Sequence, residues 1–496
     1  MPEFKPLESA APAPGVLLPP STIDEQINQA LAPASKAFFD LVFVEVPIWG
    51  VGVPLVVLWL LAGAIFFTLY FKFVNVRGIP LAIRSLRGEF DEDDAPGEIT
   101  HFQALTTAIS GTVGIGNIGG VAVAIAAGGP GATFWMIVAG FLGMATKFAE
   151  CTLGVRYRTV HPDGTVSGGP MFYLRRGLEE RGWNLAGRAL GGFYAVGIMI
   201  GCLGAGNMFQ ANQAYVQIRA VTGGDASPID GYGWAVGLVL ALVVGGVILG
   251  GIRSIAKVTE RLVPFMAGLY FLGAIAVIAF NITALPAAVL SILEGAFNGD
   301  ALAGGVIGTL VVGVQRAVFS NEAGIGSAAI AHSAVRTRLP ATEGLVALFE
   351  PFIDTIVICT LTALVIGVAS VTWPEFMDSG LKGVAMTSDA FGRTVWWFPY
   401  PLAVAAVLFA VSTMLSWSYY GMKGLAYLIG PSLGWQTAYK VAFCVFIIIG
   451  ASIKLDAVLD FSDAMVFVLC VPNVLGLLIL APVVVEELKK LHNHAA

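Results

Sequence analysis

Apolar residues form long blocks along this chain, and short polar segments separate the blocks. Eleven blocks have the ~20 residues that a helix needs to cross the hydrocarbon core of a bilayer. The pattern therefore predicts eleven transmembrane helices, over residues 46–73, 102–127, 130–157, 192–220, 232–250, 259–281, 303–333, 344–370, 396–428, 435–453 and 460–485.

The rest of the chain divides around these blocks. Residues 1–42 are polar and rich in Pro and Ala, so we expect a partly disordered extracytoplasmic segment with a short amphipathic approach over Ile23–Phe39. Residues 43–488 are predicted to form a single transmembrane domain, followed by a short cytoplasmic tail, 489–496. The N-terminus has prolines and acids where a signal peptide has basic and then apolar residues, so the first block is expected to be retained as an anchor.

Composition supports the same class. Hydrophobic residues make up 57% and charged residues 12% of the 496 positions, whereas soluble proteins have roughly 25% charged residues. We therefore expect an all-α integral membrane protein. The net charge of −6 is small and dispersed, which gives no reason to expect a nucleic-acid partner. Scattered cysteines and the lack of HExxH, Walker or Ser/His/Asp patterns indicate no catalytic residues and no organic cofactor, and no obligatory protein partner is inferred.

The basic residues predict the orientation. When the loops are assigned to alternate sides of the membrane, 19 of the 27 Lys and Arg fall on one side, 6 on the other and 2 within spans. Basic loops stay in the cytoplasm, so the N-terminus is expected outside and the C-terminus inside.

One apolar block contains a run that suits a continuous helix badly. Five of the ten residues in Gly111–Gly120 (GTVGIGNIGG) are glycine, and each internal glycine costs up to ~1 kcal/mol of helix propensity. Irregular backbone at membrane depth is tolerated only where it is buried in protein or lines a polar cavity. We therefore expect a discontinuous helix and a site for a small polar solute or ion near the middle of the membrane.

A second break is predicted in Phe319–Ala328 (FSNEAGIGSA). An offset of 210 residues places Val113–Asn117 opposite Ala323–Ser327, and the two segments lie five spans apart, so they run in opposite directions. Paired interrupted helices in two halves of a chain indicate the binding site of a transporter. Helices 2–6 and 7–11 would then form a 5+5 inverted repeat. The alternative is that these glycines only allow close helix packing.

The break itself predicts the chemistry of its ligand. A half-helix that restarts near Gly116–Gly119 presents free N–H groups and the positive end of its dipole, which suit a carboxylate. A half-helix that ends near Ser110–Val113 presents free carbonyl groups, which suit Na⁺ or an ammonium group. Because the first break contains no acid or base, a zwitterion together with a cation fits it best.

Other polar residues in the spans have two interpretations each. Glu150 either pairs with Lys147 one turn earlier or serves a site. Arg316 needs an acidic partner that the spacing does not identify. One polar helix face either contacts substrate or joins helices, and it comprises Asn207, Gln210 and Gln213. A group of hydroxyls either binds Na⁺ or bonds back to helix carbonyls, and it comprises Ser412, Thr413 and Ser416.

Five strings carry a resemblance to a known family: GTVGIGNIGGVAVAIAAGGPGATFWM, GGPMFYL, GGIRSIAKVTERLVPFMAGLY, RAVFSNEAGIGSAAIAH and STMLSWSYYGMKG. Over about residues 95–430 the chain resembles the alanine or glycine:cation symporter family (sodium:alanine symporters). The resemblance implies a LeuT-type inverted-repeat fold with one extra N-terminal helix, in agreement with the eleven predicted spans.

The resemblance also implies a set of site residues. The substrate is expected to contact Thr112, Gly114, Gly116, Asn117, Gln210, Phe319, Thr413 and Trp417. The Na⁺ ion is expected near the carbonyl of Val113 and the hydroxyls of Ser412 and Thr413. Met414 would replace Thr413 if the helical phase differs by one residue. Asn321 and Glu322 are the candidates for coupling or gating.

The implied function is sodium-coupled uptake of small neutral amino acids, alanine and glycine, by alternating access. The expected location is a bacterial-type plasma (inner) membrane, and the expected partners are the amino acid, Na⁺ and the lipid bilayer. Alternatives are a proton-coupled or other-solute transporter of the same fold, a channel, and an intramembrane enzyme that uses His101 or His332. The lack of an acid in the first break favours Na⁺, whereas Glu322 favours a proton.

Overall fold

The structure is a computed structural model, and it describes residues 23–92, 94–297 and 305–495. It begins with the helix α1 (Ile23–Val42), which includes the expected amphipathic approach. The prediction for the N-terminal residues 1–22 lies outside the described residues.

The first predicted span begins as a β-hairpin rather than as a helix. Strand β1 (Glu45–Ile48) pairs antiparallel with β2 (Val51–Pro54), and helix α2 (Leu55–Tyr70) follows. The two turn residues, Trp49 and Gly50, have φ of 47° and 83°. Positive φ at both turn residues matches the right-handed twist of a two-residue hairpin. Because two prolines lie inside this stretch, a helix over all of it was the wrong prediction.

The remaining elements up to the second break are almost entirely helical. They are α3 (Val74–Arg77), α4 (Ile79–Leu86), α5 (His101–Thr112), α6 (Gly119–Gly128), α7 (Ala132–Arg156), β3 (Thr159–Val160), β4 (Val166–Ser167), α8 (Pro170–Glu179), α9 (Asn184–Gly201), α10 (Phe209–Val221), α11 (Gly233–Ile248), α12 (Gly251–Phe280), α13 (Leu285–Phe297) and α14 (Gly305–Asn321). A π-helical segment, Gly204–Met208, leads into α10. Strands β3 and β4 pair antiparallel.

The C-terminal part continues in the same way. Its helices are α15 (Ala328–His332), α16 (Pro340–Val346), α17 (Phe349–Pro351), α18 (Thr360–Thr372), α19 (Val384–Thr394), α20 (Pro399–Ile429), α21 (Leu433–Ser452) and α22 (Leu455–Ala495). A second π-helical segment, Phe352–Cys359, links α17 to α18.

Every predicted span contains at least one of these helices. Within the described ranges, seven helices are long and apolar enough to cross a membrane, or eight if the bent pair α5 and α6 is one span. Three shorter apolar helices lie at Leu55–Tyr70, Gly233–Ile248 and Ile282–Phe297. Five of the helices lie between predicted spans, because none of them has more than 13 residues, which is too short for a spanning pattern; they are α3, α4, α8, α13 and α19.

The first predicted break is confirmed. Helix α5 ends at Thr112, a 3-10 turn occupies Ile115–Asn117, and α6 restarts at Gly119 in a direction that differs by 54°. Gly114 is extended, with φ −138° and ψ −158°. A Cβ on Gly114 would lie 2.5 Å from the hydroxyl oxygen of Thr413, so this glycine allows α5 and α20 to approach each other.

The second predicted break is also present, between α14 and α15. Glu322, Gly324 and Gly326 have φ of 58°, 93° and 86°. Glycine reaches this region at no cost, whereas a side chain such as that of Glu322 adopts it rarely. A Cβ on Gly324 would also lie 2.4 Å from a methyl carbon of Leu60, so packing reinforces the choice of glycine.

Both breaks lie between two long helices. Helix α7 packs against α14, α15 and α16, and α20 packs against α5, α9, α10 and α12. Side chains of α7 and α20 can therefore reach the backbone of the breaks.

Candidate functional site at the two helix breaks

Asn117 connects the two breaks. Its side-chain oxygen accepts a hydrogen bond from the amide of Gly114 at 2.8 Å, which holds the irregular backbone of the first break. Its Nδ2 donates to the hydroxyl of Ser320 in α14 at 3.1 Å and to the carboxylate of Asp354 at 2.6 Å. One buried side chain therefore joins α5–α6, α14 and the second π-helical segment.

Asp354 is a site residue that sequence reasoning missed. Its carboxylate is fully buried and also accepts hydrogen bonds from the hydroxyls of Ser320, at 2.8 Å, and Thr355, at 2.7 Å. Among the ion pairs of the described residues, none involves Asp354. An ionised carboxylate at this depth needs a counter-charge. The signal was available, because Asp354 is an acid inside a predicted span.

Gln210 and Thr413 lie beside Gly114. The side-chain oxygen of Gln210 accepts from the amide of Ile115 at 3.2 Å, and its Nε2 donates to the carbonyl of Ala205 at 3.0 Å. The hydroxyl of Thr413 is buried and has no hydrogen-bond partner among the described residues. A polar atom that stays unpaired in a buried position costs about 1–3 kcal/mol, and next to the first break this hydroxyl is available to a ligand.

Trp417 and Glu322 join the first break to the second. The indole N–H of Trp417 donates to the carbonyl of Gly111 at 3.1 Å and to the carboxylate of Glu322 at 3.0 Å. The other oxygen of Glu322 accepts from the hydroxyl of Ser327. The indole ring fits against Gly206, where any Cβ would lie about 2 Å from it.

Phe319 closes one side of the same region. Its ring packs edge-on against Phe209, with ring centroids 5.1 Å apart, and lies 3.8 Å from the position of a Cβ on Gly116. The guanidinium of Arg316 lies over the ring of Phe319, 5.2 Å from its centroid. Arg316 also forms a buried ion pair with Asp463 of α22, which is the partner that the sequence did not identify.

Several predicted residues have their polar groups occupied by the protein. The hydroxyl of Thr112 bonds back to the carbonyls of Ala108 and Ile109, and that of Ser412 bonds back to Phe409. Ser416 contacts Ser110 and the carbonyl of Thr107. The amide nitrogen of Val113 caps α5 by donating to Ile109 at 2.6 Å.

Asn321 contributes to the second break rather than to its ligand. It donates to the hydroxyl of Thr355 at 2.9 Å and accepts from the amide of Ala323 at 2.9 Å.

Sequence reasoning also missed Tyr420. Its buried hydroxyl has no hydrogen-bond partner in the described structure and lies 3.0 Å from the position of a Cβ on Gly111.

Lys147 does not form the expected ion pair with Glu150 in the described structure. Lys147 forms its ion pair with Glu350, at 3.2 Å. Glu150 accepts from the amide of Gly324 at 2.9 Å and from Asn473 at 2.8 Å. The carboxylate therefore holds the irregular backbone of the second break, and α7 is tied to that break through it.

Residues 38–496 match the model of the sodium:alanine symporter family. The chain belongs to this family. It is thus a multi-pass membrane protein and a secondary transporter, and the family comprises symporters rather than enzymes.

Two relatives of the symporter have informative names. The sodium/alanine symporter AgcS of Methanococcus maripaludis is 40% identical over 444 residues, which cover 89% of this chain and 94% of that protein. The probable sodium/glutamine symporter GlnT of Bacillus subtilis is 34% identical over 437 residues, 88% of this chain and 87% of the relative.

A solved structure has the same fold. MhsT, in complex with L-phenylalanine, superimposes with a TM-score of 0.55 at 14% identity, over 78% of this chain and 89% of that one. At this identity the likeness concerns the fold of the symporter only.

Proposed function

We propose that this symporter takes up small neutral amino acids, alanine and glycine, together with Na⁺ across the plasma (inner) membrane of a bacterial-type cell. The proposal includes eleven spans, the 5+5 LeuT-type inverted repeat, an outside N-terminus and alternating access. The observation that carries it is the group of buried polar atoms at the two helix breaks, where, among the described residues, the carboxylate of Asp354 has no ion pair and the hydroxyl of Thr413 has no hydrogen-bond partner.

The amino-acid carboxylate is proposed to bind the backbone amides of the first break. In the structure the amides of Gly114 and Ile115 donate to the side-chain oxygens of Asn117 and Gln210. A substrate carboxylate supplies the same kind of acceptor, with a full charge, at the positive end of a half-helix. The substrate carboxylate then replaces the side-chain oxygen of Gln210 at the amide of Ile115, while Nε2 of Gln210 keeps its bond to the carbonyl of Ala205.

The rest of the substrate pocket follows from the neighbours of these amides. The hydroxyl of Thr413 is the partner for the substrate ammonium or for the ion, and the backbone of Thr112, Gly116 and Asn117 completes the polar wall. Phe319 and Trp417 enclose a small side chain. An extra methyl group changes binding by only ~1–3 kcal/mol, so discrimination between alanine and glycine is expected to be modest.

Na⁺ is proposed to bind beside Asp354, where it supplies the missing counter-charge. Oxygen atoms of Asp354, Ser320 and Thr355 lie together there, and hard cations prefer such oxygen ligands. The position implied by the resemblance, at Val113, Ser412 and Thr413, is a second candidate. Occupation of that position requires Ser412 to release its bond to Phe409.

Coupling follows if Na⁺ favours one arrangement of the breaks. Asn117 touches both Asp354 and the amide of Gly114, so an ion at Asp354 orients the side chain that holds the substrate-binding backbone. Na⁺ promotes substrate binding only to the extent that it stabilises the competent state more than the other.

The test is uptake of labelled alanine by proteoliposomes under imposed Na⁺ or H⁺ gradients, with a competition panel of small amino acids. We expect saturable uptake that a Na⁺ gradient accelerates. Equal uptake with and without the Na⁺ gradient would refute sodium symport, and acceleration by the H⁺ gradient alone would favour the proton-coupled alternative. Uptake that does not saturate would indicate a channel.

A further inference from the structure

Five buried ionisable side chains form a continuous line that the proposed transport site does not use. The Nδ1 atom of His101 contacts one oxygen of Glu343, and the other oxygen of Glu343 lies 2.5 Å from Nδ1 of His332. The Nε2 atom of His332 contacts one oxygen of Glu350, and the other oxygen of Glu350 lies 3.2 Å from Lys147. We call this line the His–Glu chain.

The contacts determine which atoms carry protons. An ionised carboxylate only accepts hydrogen bonds, so Glu343 requires a proton on Nδ1 of each histidine. Glu350, paired with Lys147, likewise requires a proton on Nε2 of His332. His332 therefore donates from both ring nitrogens, and a histidine that does so is an imidazolium. The chain holds one proton more than it would with neutral histidines.

One end of the His–Glu chain lies next to an exposed carboxylate. The Nε2 atom of His101 has no hydrogen-bond partner among the described residues and lies 3.6 Å from the carboxylate of Asp91, whose side chain is 53% exposed. The other four members are fully buried. Protons can therefore enter or leave the line at His101.

Other charged or titratable groups face the chain from the surrounding elements. The sulfur of Cys151 in α7 lies within 4.8 Å of a ring nitrogen of His332 and of a carboxylate oxygen of Glu350. Arg158 acts electrostatically on Glu343, and Glu150 and Glu322 act on Lys147. Arg158 itself is tied to the loop after α15 through the carbonyls of Ser333 and Val335.

The chain spans the elements that a transport cycle has to move. His101 is the first residue of α5, and His332 is the last residue of α15, so one end of each broken helix belongs to the His–Glu chain. Glu343 belongs to α16, Glu350 to α17 and Lys147 to α7. Any motion that separates α5 from α15 and α16 breaks the contact between His101 and Glu343.

We propose that the His–Glu chain is a proton-binding site on the cytoplasmic side, in which His332 holds one proton while the two broken helices are joined there and loses it when α5 moves away. The proton passes from Nδ1 of His332 to Glu343. The movement of α5 takes His101 away and opens Glu343 to water, which accepts the proton from the carboxylic acid, and His332 is left neutral with its remaining proton on Nε2. One proton leaves the chain, and no other reactant is needed. The proposal rests on the transport function proposed above.

The experiment is calorimetric titration of the purified full-length protein with alanine in saturating Na⁺, in buffers that differ in ionisation enthalpy. The dependence of the heat on the buffer gives the protons exchanged. We expect up to about one proton per alanine between about pH 6 and about pH 9. We expect the exchange to fall close to zero in His332→Gln and in Glu343→Gln, and to be unchanged in His161→Gln, because His161 lies in the β3–β4 hairpin outside the chain.

A second measurement does not depend on substrate. A histidine that is held protonated in the folded state stabilises it at low pH, and this stability is lost as the pH rises. The midpoint of thermal unfolding of the wild type is therefore expected to fall with rising pH more steeply than that of Glu343→Gln. Wild-type binding heats that do not depend on the buffer, or parallel unfolding profiles, would overturn the proposal. If alanine gives no heat at all, the transport function fails, and the unfolding profiles still decide the proton site.

Discussion

Replacement of Asp354 by Asn tests the cation site most directly. The substitution keeps the shape of the side chain and removes its charge. The new amide group can face Ser320 and Thr355, because hydroxyls accept as well as donate, while the remaining oxygen still accepts from Asn117. The local fold is therefore expected to survive, and the effect falls on the bound ion.

The size of the effect follows from burial. Removal of one partner of a fully buried charge pair costs about 3–5 kcal/mol. Each 1.4 kcal/mol is a tenfold change in an equilibrium constant, so the loss of even 3 kcal/mol weakens Na⁺ binding more than ~100-fold. Asp354 is fully buried and has no other ion-pair partner among the described residues, so little compensation is expected.

The assay is the initial rate of alanine uptake by proteoliposomes as a function of Na⁺ concentration. The half-saturating Na⁺ concentration of Asp354→Asn is expected to rise by at least ~100-fold, while an unchanged unfolding midpoint shows that the protein is intact. Asp225→Asn is the matched control, because Asp225 is exposed in the loop after α10. A half-saturating concentration within about threefold of the wild-type value would refute the cation site at Asp354.

Three further substitutions test the rest of the site. Thr413→Val removes a hydroxyl that has no hydrogen-bond partner in the described structure, so the KM for alanine or Na⁺ should rise ~10- to 100-fold without loss of stability. Thr133→Val is the control and should change neither, because its buried hydroxyl also has no partner there and is not part of the proposed site. Trp417→Phe removes the bonds to Gly111 and Glu322, and kcat/KM should fall at least ~10-fold; unchanged kinetics would exclude a role for the indole N–H. Asp463→Asn breaks the ion pair between Arg316 and α22, which we expect to hold Phe319 over the pocket, so bound alanine should dissociate ~10-fold faster. An unaltered dissociation rate would argue against this role of the ion pair.

The apolar helices and the breaks were predictable because their causes are local. A block of about 20 apolar residues is suited to a bilayer wherever it folds, and a cluster of glycines weakens a helix in any context. Gly114, Gly324 and Gly326 accordingly lie where the backbone leaves the helix. The hairpin before α2 was missed because its apolar residues resemble the start of a span, although Pro47 and Pro54 were a signal against a helix.

The pairing of the buried charges was not predictable in the same way. Sequence spacing suggested Lys147 with Glu150 and offered nothing for Arg316, whereas the structure pairs Lys147 with Glu350 and Arg316 with Asp463. Neighbours on one helix are only one of many possible partners, and a buried charge takes the partner that packing brings to it. The sequence offered His101 and His332 only as alternative catalytic residues, whereas in the structure both contact the carboxylate of Glu343.

The sequence by itself determined the class of protein, the two broken helices and, through its motifs, the family. These depend on properties of single segments: hydrophobic length, glycine content and a particular order of residues. The tertiary structure alone decided which polar atoms meet. Asn117 reaches Asp354 across 237 residues, and Arg316 reaches Asp463 across 147. Such contacts exist only after the helices have packed, because in an apolar surrounding each buried polar group must find its partner among whatever the fold brings close.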